Sequence, residues 1–189
     1  MAERGRLLML HKPKGVTVTR ADERGRRTVY SLLPEWVLND SWVPVGRLDL
    51  DTRGLLLFTR EGKLVEQLTR PGACLKTYEV WVRGRVTEFH LRQVVGGLSV
   101  GGELLRAKRI ERAGGAGPKA RLVVELDEGR NRHIRRLFGA MRDPEAGRPL
   151  KVMDLKRTAF GPVRLDVPSG AWRMLNDAEV KGLVGKGTG

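Results

Sequence analysis

The apolar residues of this chain come in runs of strand length, separated by turns rich in glycine and proline. That pattern points to short strands and helices interleaved along the chain. Residues 7–10 (Leu-Leu-Met-Leu) read as a buried strand. It is followed by the turn-prone Lys12-Pro13-Lys14-Gly15 and a β-branched stretch over 16–19. Strands are predicted over 43–48, 55–59, 76–82, 151–159 and 161–167. A long hairpin is expected to join 104–110 to 121–126 across the glycine run at 114–117. Over 76–82, Tyr78, Val80 and Val82 alternate with Glu79 and Trp81, the period of a half-buried strand. Short helices are expected over 28–33, stopped near Pro34, and over 63–69, 88–95 and 176–183. The clearest helix lies over 132–142, where Ile134, Leu137, Phe138 and Met141 form one apolar stripe. The fold class expected is α+β, with a mixed, mostly antiparallel sheet. One domain, 1–184, perhaps of two lobes, would precede a flexible tail at 185–189.

A chain with 40% hydrophobic residues can build a core, and 36 Lys and Arg against 22 Asp and Glu leave a net charge of +14. Such a charge says nothing about fold, but it favours polyanionic partners, nucleic acid first. No run approaches the roughly 18 apolar residues of a membrane span. The start of the chain lacks the pattern of a signal peptide, so a cytoplasmic setting away from membranes is expected. A single cysteine, Cys74, and three scattered histidines, His11, His90 and His133, argue against a disulfide or a metal site. Gly101-Gly102 and the 114–117 run have no strand-to-helix context for binding a dinucleotide and read as turns.

Two segments carry chemistry. In Gly46-Arg47-Leu48-Asp49-Leu50-Asp51-Thr52-Arg53-Gly54, two carboxylates lie in a tight loop beside two arginines. A calcium loop fails there, because Arg53 and Arg60 stand where oxygen ligands are needed. An aspartyl-phosphate site would need a further acidic pair downstream, and the later acids are scattered. On its own the segment is equally well a polar β-turn whose aspartates cap backbone amides. The second segment, Glu128-Gly129-Arg130-Asn131-Arg132-His133-Ile134-Arg135-Arg136, places four arginines at the start of the predicted helix. Like charges so close repel unless an anion binds them, and the guanidinium fork suits phosphate or carboxylate.

Together these motifs resemble the RsuA-type pseudouridine synthases over nearly the whole chain. Leu10-His11-Lys12-Pro13-Lys14-Gly15 is similar to that family's first strand and turn. Gly46-Arg47-Leu48-Asp49 with Asp51-Thr52 resembles its catalytic signature, and Lys76-Thr77-Tyr78 the strand bearing its tyrosine. The arginine segment and Leu155-Lys156-Arg157-Thr158 resemble its remaining motifs. Because the chain begins directly at the catalytic part, the RluE branch, which acts on large-subunit rRNA, is the nearest expectation. The resemblance implies the pseudouridine synthase catalytic fold and isomerisation of a specific uridine, without metal or small-molecule cofactor. The expected partner is a structured stem-loop of ribosomal RNA, bound by a monomer. The resemblance makes Asp49 the catalytic aspartate and Arg135 its charge partner, which favours the ionised carboxylate. It places Tyr78 on the target base and Leu155 opposite it. Arg47, Leu48 and Thr52 accompany Asp49. Lys12, Lys14, Arg53, Arg130, Arg132 and Arg136 are expected to meet RNA phosphates. Asp51 reads as a structural turn acid. The rival reading is a non-catalytic RNA-binding or ribosome-assembly protein. It explains the charge but not a carboxylate set among arginines.

Overall fold

The computed structural model describes residues 5–185, so the 186–189 part of the expected tail lies outside the described residues. The chain divides into two compact units, one made of 1–74 with 157–189 and the other of 75–156.

The first unit is built on β1 (Leu8–Lys12), β2 (Val43–Pro44), β3 (Arg53–Thr59), the 157–160 end of β9 (Lys151–Phe160), β10 (Val163–Arg164) and β11 (Trp172–Met174). β1 lies between β11 and β3, antiparallel to both, with Leu10 opposite Leu56 and Lys12 opposite Gly54. All five residues of β1 are buried, so the strand is covered on both faces. Leu7, Met9, Leu55 and Leu57 pack with Leu64 and Leu68 of α2 (Gly62–Thr69), Val180 and Leu183 of α5 (Asp177–Val184), and Cys74. On the opposite face of the pleat Phe58 meets Tyr30 edge-on, with ring centroids 5.8 Å apart.

Several boundaries differ from those the sequence predicts. The helix expected over 28–33 is a short 3₁₀ turn, Val29–Leu32. It ends ahead of Pro34 as expected, and Pro34 is also the N-cap of a second short helix that was not expected, α1 (Glu35–Asn39). The strand expected over 43–48 ends at Pro44, because Gly46 takes a left-handed φ of 76° and turns the chain toward Asp49. That expected over 161–167 shrinks to β10, after a turn at Gly161.

The second unit carries β4 (Lys76–Arg83), β7 (Arg109–Gly114) and β8 (Lys119–Leu126) in the antiparallel order β4–β8–β7. β4 shows the predicted alternation, with Tyr78, Val80 and Val82 buried and Thr77, Glu79 and Trp81 half-buried. α3 (Glu88–Gly96) starts at a reciprocal cap between Thr87 and His90. The hairpin partner of 121–126 is 109–114 rather than the expected 104–110. Residues 103–105 instead form β6 (Glu103–Leu105), which pairs with β5 (Leu98–Val100) in a separate two-stranded hairpin. The arginine helix, α4 (His133–Gly139), is shorter than expected, although Met141 beyond its end is still buried. Among the described residues no helix is long and apolar enough to cross a membrane.

Candidate active site

In the first unit the 46–54 segment closes as a β-turn, with the Thr52 amide donating to the Asp49 carbonyl over 3.0 Å. Two attachments hold it. The Gly15 amide donates to the Leu50 carbonyl at 2.8 Å. Beneath, the Lys12 ammonium donates to the Thr52 carbonyl at 2.7 Å and to Pro13 at 3.0 Å. Lys12 is fully buried. It therefore supports the turn from inside, which corrects the expectation that it meets RNA phosphate; the neighbouring Lys14 is exposed. Burial pushes the Lys12 ammonium down to about 8, while the nearby charges of Asp49 and Asp51 act the other way.

Asp49 and Asp51 are half-buried, Leu48 and Thr52 are buried, Arg53 is half-buried and Arg47 is exposed. A Cβ at Gly54, where φ is 120°, would overlap the Arg157 carbonyl, so β3 and β9 meet here with no room for a side chain. Arg157 is itself buried, donates from Nε to the Leu55 carbonyl at 2.7 Å, and lies 5.3 Å from the Phe160 ring centroid. The sequence placed Arg157 in a family motif without giving it a role. The structure makes it the brace at the outgoing end of the Asp49 turn.

Between Gly15 and the 3₁₀ turn, residues 17–28 form a loop that the sequence analysis passed over. Its base is closed by the Thr17 amide on the Arg27 carbonyl (2.9 Å) and the Val29 amide on the Thr17 carbonyl (3.0 Å). Inside it, Asp22 accepts the Arg26 amide at 2.7 Å and pairs with the Arg26 guanidinium at 2.7 Å, which holds the Asp22 carboxyl down to about 2. Arg20, Arg24, Arg26 and Arg27 are exposed. Four arginines within eight residues were the available signal.

The second unit holds the other expected site residues. Tyr78 and Leu155 are buried, at 7% and 5% exposure. Arg135 is half-buried and donates from Nη1 to the Val152 carbonyl at 3.3 Å. Arg132, exposed, takes a left-handed conformation (φ 48°) as the N-cap of α4. The anion that the arginine cluster demands is supplied within the chain. Glu103, on the β5–β6 hairpin, reaches Arg136 at 2.6 Å and Arg130 at 3.3 Å, and Arg130 also meets Glu128 at 3.1 Å. All three histidines have structural partners: His11 at the Val167 carbonyl, His90 in the cap of α3, and His133 at the Arg106 carbonyl. The structure thus gathers Asp49, Thr52, Arg53, Lys12 and Lys14 in one unit, and Tyr78, Arg130, Arg132, Arg135, Arg136 and Leu155 in the other.

A half-buried carboxylate on a closed turn near a buried lysine is suited to attack carbon or to remove a proton. The comparisons agree with the motifs. The model of the family described as RNA pseudouridylate synthase matches residues 6–140. The ribosomal large subunit pseudouridine synthase B of Vibrio vulnificus is 38% identical over 181 residues, 94% of this chain and 54% of that protein. Its namesake in Salmonella typhi is 37% identical over 183 residues, 95% of this chain and 60% of that protein. The chain therefore spans little more than half the length of these curated relatives, which carry the synthase B name where the sequence pointed to the RluE branch. Among solved structures, a pseudouridylate synthase superposes with a TM-score of 0.80 at 30% identity, covering 96% of this chain and 75% of that one. An archaeal box H/ACA Nop10–Cbf5 complex shares the fold, with a TM-score of 0.65 at 22% identity. With the aspartate turn, the tyrosine strand and the arginine helix in family order, this chain belongs to the RNA pseudouridylate synthase family.

Proposed function

We propose that the chain isomerises a specific uridine to pseudouridine in a structured stem-loop of large-subunit ribosomal RNA, acting as a cytoplasmic monomer. The observation that carries this reading is the Asp49 turn, in which Asp49 is half-buried and the backbone is held by the Lys12 ammonium on the Thr52 carbonyl and the Gly15 amide on the Leu50 carbonyl. The names of the relatives support the ribosomal substrate.

The reaction breaks the N1–C1′ bond, turns the uracil and forms a C5–C1′ bond. A proton leaves C5 and one is returned to N1, so nothing is oxidised or reduced. Asp49 serves either by attacking C1′ or by removing the 2′ proton. The family resemblance makes Tyr78 and Leu155 contacts of the flipped base and Arg135 a catalytic arginine. Extruding the base costs a few kcal/mol. Phosphate contacts from Lys14, Arg53, Arg130, Arg132 and Arg136 offset that cost, joined by the exposed arginines of the 17–28 loop.

The test is incubation of the protein with unmodified large-subunit rRNA transcript, with pseudouridine mapped by carbodiimide modification and primer extension. A stop that appears with the wild type and is absent with Asp49→Asn is expected. RNA binding without any stop, on small-subunit RNA and immature particles as well, would leave a non-catalytic RNA-binding protein.

A further inference from the structure

The Glu103 carboxylate bridges two arginines of the segment expected to bind RNA. One oxygen faces Arg136 at 2.6 Å and the other faces Arg130 at 3.3 Å. The two guanidinium groups therefore converge on one anion with two terminal oxygens on a single central atom, the arrangement a phosphodiester also offers. Glu103 is 43% exposed, and a pair so close to solvent adds little to the stability of the fold.

Two further features make the carboxylate replaceable. The Arg136 guanidinium has neutral anchors besides Glu103: it donates to the Val100 carbonyl at 3.0 Å and to the Asn131 carbonyl at 3.4 Å. Arg130 keeps Glu128 at 3.1 Å. Both arginines would thus remain aimed at the site after the carboxylate had left it. Glu103 itself stands on a two-stranded hairpin outside the larger sheet, just after a Gly101-Gly102 turn in which both residues have left-handed φ (59° and 81°). Its side chain can turn away while the Val100 carbonyl of the same hairpin keeps its hold on Arg136.

We infer that Glu103 is an internal stand-in for RNA phosphate, occupying an anion site made by Arg130 and Arg136 that a backbone phosphodiester of the bound RNA takes over. This rests on the reading of the arginine segment as RNA-binding. Free protein is thereby spared the repulsion of clustered guanidinium groups, and polyanions that cannot displace the carboxylate are disfavoured.

The experiment measures the dissociation constant for a large-subunit rRNA transcript as a function of salt, for wild type, Glu103→Gln, Arg136→Met and the double variant. Glu111→Gln serves as a control, since that residue is an exposed carboxylate paired with Arg109 on β7. Glu103→Gln keeps the shape and removes the competing charge. It is expected to tighten binding several-fold at low salt and to steepen the slope of log K against log salt by somewhat less than one. With Arg136→Met the gain from Glu103→Gln should shrink or vanish, and Glu111→Gln should give much less. Unchanged or weaker binding by Glu103→Gln, an equal gain from Glu111→Gln, or a gain that survives Arg136→Met in full would each overturn the exchange. Pseudouridine mapping on the same transcript separates the two readings. The gain without isomerisation would remove the enzyme reading alone, and isomerisation without the gain would remove the exchange alone.

Discussion

Lys12 is a cation enclosed on every side, yet it lies beneath two carboxylates rather than in contact with substrate. Its ammonium titrates at about 8, against 10.5 for an exposed lysine, chiefly because burial disfavours the charge. Between those two values the unfolded chain binds more protons than the folded one, so stability rises with pH across that window. The cost of burying the charge is fully present below about pH 8 and is relieved as pH climbs toward 10.5. Lys12→Met removes the charge but leaves the Thr52 and Pro13 carbonyls without their donor, a loss of about 1–3 kcal/mol for a buried polar group. Denaturant melts from pH 6 to 10 should therefore show wild type gaining on Lys12→Met above pH 8. A constant difference between the two would contradict the account of Lys12 as a buried, charged support. Lys12 also shows where sequence reading stops. A lysine between His11 and Pro13 at a strand end has the pattern of a solvated residue, and its burial depends on the turn 40 residues on. Asp49, by contrast, stands out in the sequence because it sits in a motif that resembles a family signature.

At the scale of elements, legibility followed length. β4 was readable because eight residues give enough periods for buried and half-buried positions to alternate. α1, with five residues, and the three-residue strands β5 and β6 are too short to show any period, so α1 is not visible in the sequence and 104–110 reads as one strand. Close packing between elements was equally hidden. Gly54 reads as a turn glycine, whereas its missing side chain is what lets β3 approach the Arg157 backbone. Gly54→Ala should destabilise the protein by more than about 3 kcal/mol, a size reserved for backbone clashes and core damage. Urea melts showing a loss below about 1 kcal/mol would mean that β9 yields easily. The 17–28 loop is held differently, by one acid. Asp22→Ala should release it, speeding tryptic cleavage after Arg20, Arg24, Arg26 or Arg27 with little change in the global melting midpoint. Cleavage as slow as in wild type would show that the backbone bonds of Thr17 suffice.

For the whole molecule, net charge was visible from composition, but its distribution required the structure. Much of the arginine is committed internally: Arg6 to Glu61, Arg26 to Asp22, Arg85 to Glu145, Arg109 to Glu111, and Arg173 to Asp166 and Glu179. These pairs leave the net charge of +14 unchanged, since every acid is already counted in it, and what bounds the contacts is the set of basic residues open to RNA. The exposed residues Lys14, Arg20, Arg24, Arg27 and Arg132, with half-buried Arg53 and the Arg130/Arg136 pair, suggest roughly five to eight contacts. Each phosphate contact contributes a slope of about −0.7 to −0.9 in log K against log salt. RNA affinity should then fall with a slope on the order of −4 to −7, measured by filter binding from 50 to 200 mM salt. A slope near −12 would mean that basic residues well beyond this set engage RNA. One shallower than about −2 would place recognition in stacking and shape, with the basic surface serving chiefly to keep the protein soluble and to draw RNA toward it.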